Sequence, residues 1–318
     1  SPTSCTPTRI RGFGTASVAS VISMPARVAP ASAEDTRRRQ SNTAWSRFRR
    51  DHVAGVGLVV LGIVVALAVM APLLATDPFA VDLDAVKKPP TAAHWLGTDS
   101  AGRDVLARLF HGARVSMSVG IAAVAIATCV GTLVGLTSGY SGGKIDNLLM
   151  RLTEFVQTFP LFFAVVILVA LVGPNLFNVV AVIGLLSWPG LARLVRGQVL
   201  SLRQQQYVEA ARALGARGRR VIFLHVFPGV LPYLAVYGAL ALAQAILTEA
   251  ALSFLGLGVQ MPVPSWGGMM NSAQSLTVLE TQPWLWVPPG LAIAVTVLCA
   301  NFVGDALRDA FDPRMGER

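Results

Sequence analysis

An arginine-rich stretch lies between two long apolar runs in the second half of this chain. Residues 193–220 contain seven arginines and one acid, Glu209, in a protein that is 53% hydrophobic and only 14% charged. Guanidinium groups bind carboxylates and phosphates. One arginine at the centre of a bilayer costs about 2.5–3.5 kcal/mol, and seven cost about 20 kcal/mol. The stretch therefore lies outside the membrane, where anionic lipid or an acidic partner surface would balance its charge.

The same stretch has the pattern of two short helices joined at a glycine. Residues 204–214 are strong helix formers, and Gly215 suits a left-handed helix end. A second helix is expected from Arg217 into "VIFLHVF", where Pro228 stops or kinks it. The first helix has small side chains that let another surface approach closely: Ala210, Ala211 and Ala213. A solvated loop needs no such order, so we predict a docking segment.

Residue patterns for catalysis, nucleotide binding and metal binding are missing from the sequence. The "GGK" of residues 142–144 imitates a phosphate loop, but Ser138 stands where that motif needs its first glycine, and Ile145 follows the lysine. The four histidines are scattered, and the three cysteines have no paired or metal-type spacing. We expect no catalytic residue, metal site or cofactor in this chain. We also expect no nucleic-acid binding, because aromatic residues do not interleave with the basic ones.

Six apolar runs must position these residues. Runs of about 20 residues cross a bilayer core as helices, and their continuity argues against a β-barrel. Pro160 falls near the start of the third run, where proline is tolerated best. The runs are residues 55–75, 115–135, 155–172, 176–194, 231–252 and 284–302. The sequence therefore predicts an all-α polytopic membrane protein with six transmembrane helices.

Charges outside the runs set the orientation. Arg47, Arg49 and Arg50 precede the first run, and basic flanks stay in the cytosol. Parity then places residues 193–220 and the C-terminus in the cytosol. The loop of residues 76–112 is expected on the outer side. Its part "DSAGRDVLARLFHGARV" has helical spacing and predicts a helix that lies at the outer interface and feeds the second span.

The chain divides by composition into a tail and a membrane domain. Residues 1–45 are rich in Ser, Ala, Pro and Thr, cannot bury a core, and are predicted to form a disordered cytosolic tail. A signal peptide and a true start at Met24 are the alternatives. Residues 46–318 are expected to form the transmembrane domain, with its docking loop at residues 195–230.

Two polar residues fall inside the fifth run and are candidates for a translocation path or gate: Gln244 and Glu249. An ionisable group within a span is a functional candidate by default. Glu249 is open to three interpretations: contact with a substrate ammonium group, pairing with the outer loop, or a buried hydrogen bond between helices. Several glycines follow it and predict a bent mouth with a movable backbone: Gly256, Gly258, Gly267 and Gly268.

The docking stretch resembles the signature loop of one family. It has Glu-Ala-Ala, three residues, Gly, and then His near Pro, at the positions Glu209, Ala210, Ala211, Gly215, His225 and Pro228. This pattern is similar to that of the inner-membrane permease subunits of bacterial ABC importers of the dipeptide/oligopeptide/nickel group. Other stretches, such as "AILTEAALSFLGLGVQMPVPSWGGMM", also resemble it. The resemblance covers about residues 45–314 and is closer to the second permease of the pair.

The resemblance implies a type I importer permease that works by alternating access. The loop, including Arg217, would dock on separate ATPase subunits that bind ATP and magnesium. The implied partners are a second homologous permease, two ATPases, an extracytoplasmic binding protein and membrane lipid. The implied location is the bacterial inner membrane, with both termini cytosolic.

Short peptides are the substrates that the resemblance implies first, with nickel, glutathione or haem as alternatives. An ion-coupled secondary transporter is the competing class. That class expects several acids within the membrane, whereas only Glu249 is clearly intramembrane here.

Overall fold

The computed structural model describes residues 51–311, which fold into packed α-helices. The helices are α1 His52–Leu74, α2 Val105–Ser141, α3 Gly143–Thr158, α4 Leu161–Val172, α5 Leu176–Leu202, α6 Gln206–Ala213, α7 Gly218–Phe254, α8 Trp266–Met270, α9 Leu276–Thr281 and α10 Val287–Phe311. Within this range five helices are long and apolar enough to span a membrane, and six crossings result if α3 and α4 count as one. The predicted all-α membrane fold is confirmed. The predicted tail of residues 1–45 lies outside the described residues.

The first span begins at a side-chain cap and packs through small residues. Asp51 Oδ1 accepts hydrogen bonds from the N–H groups of Val53 at 2.9 Å and Ala54 at 3.2 Å. Gly57 faces α10, where a Cβ at this position would lie 3.2 Å from the carbonyl oxygen of Cys299. The remaining circumference is exposed and apolar, as expected of a lipid-facing helix.

The second span and the interfacial helix before it are one continuous helix. Asp104 caps α2, because its Oδ1 accepts the N–H of Ala107 at 2.9 Å. The helix then runs for 37 residues, which is about 55 Å at 1.5 Å per residue. It is therefore longer than the hydrocarbon core and extends beyond it.

α2 and α5 form the most extensive helix pair among the described residues. Three glycines of α2, four residues apart, face α5: Gly131, Gly135 and Gly139. A Cβ at Gly135 would lie 2.6 Å from Cβ of Val195 and 2.7 Å from the carbonyl oxygen of Ala192. Small residues at such spacing let two helix backbones approach closely within a membrane.

The third span was predicted as one helix and is instead a bent pair. α3 and α4 meet at 82°. Between them Phe159 and Pro160 have extended backbones, with ψ of 132° and 122°. A proline disfavours helical geometry in the residue before it, so the chain breaks at this point. α4 alone has 12 residues, about 18 Å.

Two helices extend into the stretch predicted as a loop. α5 continues to Leu202, so Arg193 and Arg196 are helical. α7 starts at Gly218 and passes through a π-helical turn, Val221–Val226, into the predicted fifth span. Pro228 follows this turn and does not stop the helix, so of the two predicted effects, a stop or a kink, the stop is wrong. The altered hydrogen-bond register just before it accommodates a residue that lacks an N–H.

Candidate functional site

The arginine-rich end of the bundle is formed by the end of α5, by α6 and by the start of α7. α6 ends in a Schellman motif, in which the N–H of Ala216 donates to the Ala211 carbonyl at 3.1 Å and that of Gly215 to the Arg212 carbonyl at 2.9 Å. Gly215 has φ of +82° and open space around it, so its backbone conformation alone demands glycine. The predicted left-handed helix end is confirmed.

α6 presents an exposed face at this end. Among the predicted docking residues, four are exposed: Glu209, Ala210, Gly215 and Arg217. Three are half-buried: Ala211, His225 and Pro228. Leu214, which the sequence analysis did not single out, is 89% exposed at the tip. An apolar side chain this exposed, beside small residues and arginines, is typical of a surface that another protein covers.

The opposite face of α6 anchors it to the spans. Val208, Val221 and Val226 have no exposed surface and pack with Val195 and Val199 of α5. The hydroxyl of Tyr207 also donates to the carbonyl of His225 at 3.4 Å. The exposed face of α6 therefore rests on a packed base.

Three of the seven arginines are bound within the fold. Arg196 pairs with Asp146 of α3 through two hydrogen bonds, Nε to Oδ1 at 2.6 Å and Nη2 to Oδ2 at 2.7 Å. Arg203 donates to the Gly139 carbonyl at 3.1 Å. The guanidinium of Arg212 lies 4.9 Å from the ring centroid of Tyr140. These contacts join α6 and the end of α5 to α2 and α3, and the sequence analysis did not identify them.

A cavity of about 690 Å³ lies among α2, the end of α3, α4, α5 and α7. Its walls are mostly apolar, with a few polar side chains: Gln157, Ser187, Arg193, Tyr237, Gln244 and Thr248. Tyr237 is held in place because its hydroxyl donates to the Ser187 carbonyl at 3.0 Å. Gln244 is exposed on α7 and reaches the cavity. A mostly apolar pocket with a few fixed polar groups is the usual form of a small-molecule site.

Glu249 is separated from Gln244 in the structure. It has no exposed surface and is absent from the cavity wall. Its carboxyl group accepts hydrogen bonds from Ser116 at 3.0 Å and from Ser253 at 2.7 Å. Of the three interpretations left open by the sequence, this geometry contains two. One is the hydrogen bond between helices, with Ser116 of α2. The other is pairing with the outer loop, because Ser265 is a further side-chain hydrogen-bond partner of Glu249.

The mouth segment, residues 255–265 between α7 and α8, packs closely on α7. A Cβ at Gly258 would lie 1.9 Å from Oγ of Ser253, and one at Gly267, just beyond the segment, would lie 2.5 Å from Cα of Ala250. Gly256 alone among the predicted hinge glycines has a left-handed backbone, with φ of +80°. Gly258 and Gly267 therefore allow close contact, where the sequence analysis expected free movement.

An ion-pair cluster joins the long loop to the mouth segment. Asp99 accepts from Arg103 at 2.8 Å and lies 3.4 Å from Nε of Arg108. Arg108 also donates to the carbonyls of Pro78 and Pro262, both at 3.4 Å. The sequence showed charges of both signs here but gave no signal for their pairing. Within residues 51–311 no three His, Cys, Asp or Glu side chains converge as metal ligands would.

Two family models match this chain. Residues 131–317 match "Binding-protein-dependent transport system inner membrane component", and residues 40–90 match "N-terminal TM domain of oligopeptide transport permease C". The second match covers the beginning of the membrane domain, and the first covers the arginine-rich end, most of the cavity lining and the mouth segment.

Curated relatives are similar over most of their length. The oligopeptide transport system permease OppC of Haemophilus influenzae is 42% identical over 276 residues, 85% of this chain and 88% of the relative. The glutathione transport system permease GsiD of Pectobacterium atrosepticum is 41% identical over 276 residues, 85% and 90% of the two chains. The dipeptide transport system permease DppC of Alkalihalophilus pseudofirmus is 39% identical over 273 residues, 86% and 89%.

Proposed function

The chain belongs to the family of binding-protein-dependent transport system inner membrane components, and from that premise we propose that α6 docks on a separate ATPase subunit. The protein is the non-enzymatic permease of an ABC importer. The observation that carries the docking role is the exposed face of α6, with Glu209, Ala210 and Leu214 outward on a packed valine base. ATP and magnesium are bound by the ATPases, and two such subunits serve the importer.

The contacts of the arginine-rich end give the docking face a route to the cavity. Motion of α6 would be transmitted to α2 through the contact between Arg212 and Tyr140. The Arg196–Asp146 ion pair links α5 to α3. α3 leads through Pro160 into the cavity wall. ATP binding would close the cavity on the cytosolic side. Release of the nucleotide from the ATPases would reopen it, as alternating access requires.

Short peptides are the substrates that we propose. The relatives' names include oligopeptide and dipeptide transport. The cavity pairs apolar walls with the amides of Gln157 and Gln244, which suit a backbone shared by peptides with different side chains. Glutathione is the second candidate, because one relative is named for it. Uptake of dipeptides and of glutathione by the reconstituted importer, with its binding protein, separates the two.

The membrane orientation follows from charge. Residues 258–283 contain no Lys or Arg, whereas residues 193–220 contain seven arginines. Basic segments stay in the cytosol. We propose an inner-membrane protein with cytosolic termini, whose mouth segment faces the extracytoplasmic binding protein.

A second, homologous permease would complete the path. α3 carries an exposed apolar stripe: Ile145, Leu148, Leu152, Phe155 and, just past its end, Phe159. The alternating spacing of three and four residues is that of a seam between two helices. Phe159 also lines the cavity, so the stripe continues to the path. We place the partner permease on this stripe.

Replacing Gly215 tests the docking role. Gly215→Pro removes the N–H that donates to the carbonyl of Arg212, and it forces φ at this residue from +82° to about −65°. We expect normal membrane insertion and complex assembly, with ATP hydrolysis largely retained and uptake reduced at least about tenfold, because a misdirected α6 transmits less motion. Proteoliposomes that contain the full importer provide both measurements.

Gly215→Asn is the matched control, because asparagine tolerates the left-handed conformation. It should keep most of the uptake. Normal uptake by Gly215→Pro would contradict the docking role.

A further inference from the structure

Glu249 is the centre of a hydrogen-bond network that the transport path does not use. Its two carboxyl oxygens accept from two serines on different helices, and Ser265 of the mouth segment is a third side-chain hydrogen-bond partner. Oε2 accepts from Ser116 of α2 at 3.0 Å, and Oε1 accepts from Ser253, one turn further along α7, at 2.7 Å. All three side chains are buried. A carboxylate with both oxygens accepting leaves each serine with its only hydrogen committed to Glu249.

The same two serine oxygens hold the main chain of the mouth. The N–H of Val259 donates to Oγ of Ser253 at 3.2 Å, and the N–H of Trp266 donates to Oγ of Ser116 at 3.1 Å. Val259 is the fifth residue of the mouth segment, and Trp266 directly follows its last residue. Since each hydroxyl gives its hydrogen to Glu249, its lone pairs are turned toward the backbone donors.

Close packing places the main chain directly on this network. The contacts at Gly258 and Gly267 leave no room for a side chain between the mouth segment and α7. Trp266 is fixed further, because its indole N–H donates to the Leu109 carbonyl at 3.1 Å. Residues 259–266 are therefore held at both ends by polar contacts that share one acceptor residue.

We propose that Glu249 is a positioning residue for the outer mouth, orienting Ser116 and Ser253 so that they clamp residues 259–266 onto α2 and α7. This inference rests on the proposed function, because it takes the mouth to be that of the transport path. Glu249 does not contact the substrate. It acts through the two serines, and releasing its hold frees Val259 and Trp266 together.

The chemistry of the clamp specifies a carboxylate of this length. Glu249→Gln keeps the shape but replaces one acceptor with an NH₂ donor, so one serine hydroxyl loses its acceptor and must turn. Glu249→Asp keeps two acceptors but shortens the side chain by one carbon, so it no longer reaches both serines. Ser116→Ala releases the Trp266 end only, and Ser253→Ala releases the Val259 end only.

A spin label at Gln260 reports on the clamp, because this residue is exposed on the mouth segment. Its side chain donates to the carbonyls of Gly256 and Gly258, so every variant is compared with the labelled Gln260→Cys protein that keeps Glu249. The full importer, in liposomes with its binding protein, carries Gln260→Cys as the label site. We expect Glu249→Gln and Glu249→Asp to increase label mobility and to lower maximal uptake about tenfold, the size of losing one buried hydrogen bond. The KM for peptide should stay unchanged.

The serine variants keep the inference testable if the Glu249 variants fail to assemble. Each serine variant should mobilise the label partly, and the double variant should mobilise it more than Glu249→Gln, which leaves one serine hydroxyl with its acceptor. Ser118→Ala is the matched control, because Ser118 is exposed on the same helix and donates only to the Val115 carbonyl.

Two results would overturn the inference. One is an unchanged label in Glu249→Gln and in the double serine variant. The other is a KM for peptide raised about tenfold in Glu249→Gln with an immobile label, which would make Glu249 a substrate contact. Failure of the proposed docking role would appear separately, as normal uptake by Gly215→Pro, and would leave the mobility result interpretable.

Discussion

At the arginine-rich end, the carboxylate of Asp146 joins three helices. It lies on α3, pairs with Arg196 of α5, and accepts the hydroxyl of Ser138 on α2. Asp146 is 12% exposed and Arg196 is 33% exposed. The pair is therefore partly desolvated, and removal of one partner leaves the other without its counter-charge.

Asp146→Asn is expected to destabilise this end of the bundle by about 1–3 kcal/mol, because Arg196 loses a bidentate partner but keeps access to water. The midpoint of thermal unfolding in detergent measures the effect. Glu154→Gln is the control, because the Arg151–Glu154 pair is 3.7 Å apart and largely exposed. Equal shifts for the two variants would contradict a special role for Asp146.

Residues with local constraints were predictable from sequence, and those with distant partners were not. Gly215 was assigned a left-handed conformation because a helix end is a property of a few adjacent residues. Glu249 was left with three interpretations because its partner Ser116 is 133 positions away. No local pattern shows which serine a buried acid will meet.

Among the helices, the glycine seam between α2 and α5 sets how closely the two spans approach. Its glycines are matched by bulky residues of α5, so that Gly131 faces Leu191, Gly135 faces Val195 and Gly139 faces Val199. The bulky side chains of α5 fit into the spaces that the glycines leave on α2. The pair therefore forms a fixed base beneath the cavity and the arginine-rich end.

Gly135→Ala should separate the pair. The new methyl group would lie 2.6 Å from Cβ of Val195, and overpacking of this kind costs about 1–3 kcal/mol. The expected result is a lower unfolding midpoint in detergent. Gly197→Ala on α5 is the control, because nothing lies within 4 Å of that position. An unchanged unfolding midpoint for Gly135→Ala would contradict close packing of α2 against α5 at this position.

Helix existence followed from apolar length, whereas helix ends and breaks did not. Pro160 was predicted near the start of a span, and it lies immediately before α4. The apolar run did not indicate the 82° bend at this proline, which separates α4 from α3. α7 shows the opposite error: Pro228 was expected to stop or kink a helix that began at Arg217, and this helix instead continues into the fifth span.

In the whole molecule, the exposed stripe of α3 is where we expect a second permease to bind. Leu148 is 72% exposed and Phe155 is 66% exposed. Leu148→Asn combined with Phe155→Asn puts polar amides into that seam. The prediction is loss of the second permease during affinity purification of this chain, with normal membrane insertion.

Leu73→Asn is the control for this assembly experiment. Leu73 is 84% exposed at the end of α1, away from the α3 stripe. It should leave the yield of the second permease unchanged. Full recovery of the complex by the α3 variant would place the partner on another face.

α7 runs without interruption from the arginine-rich end to the mouth, and its length has a mechanical consequence. Its 37 residues span about 55 Å. A tilt of about 4° around its middle shifts each tip by roughly 2 Å, since each arm is about 27 Å long. The two tips move in opposite directions. One tilt of α7 would therefore narrow the opening beside the arginine-rich end while it widens the opening at the mouth, or the reverse.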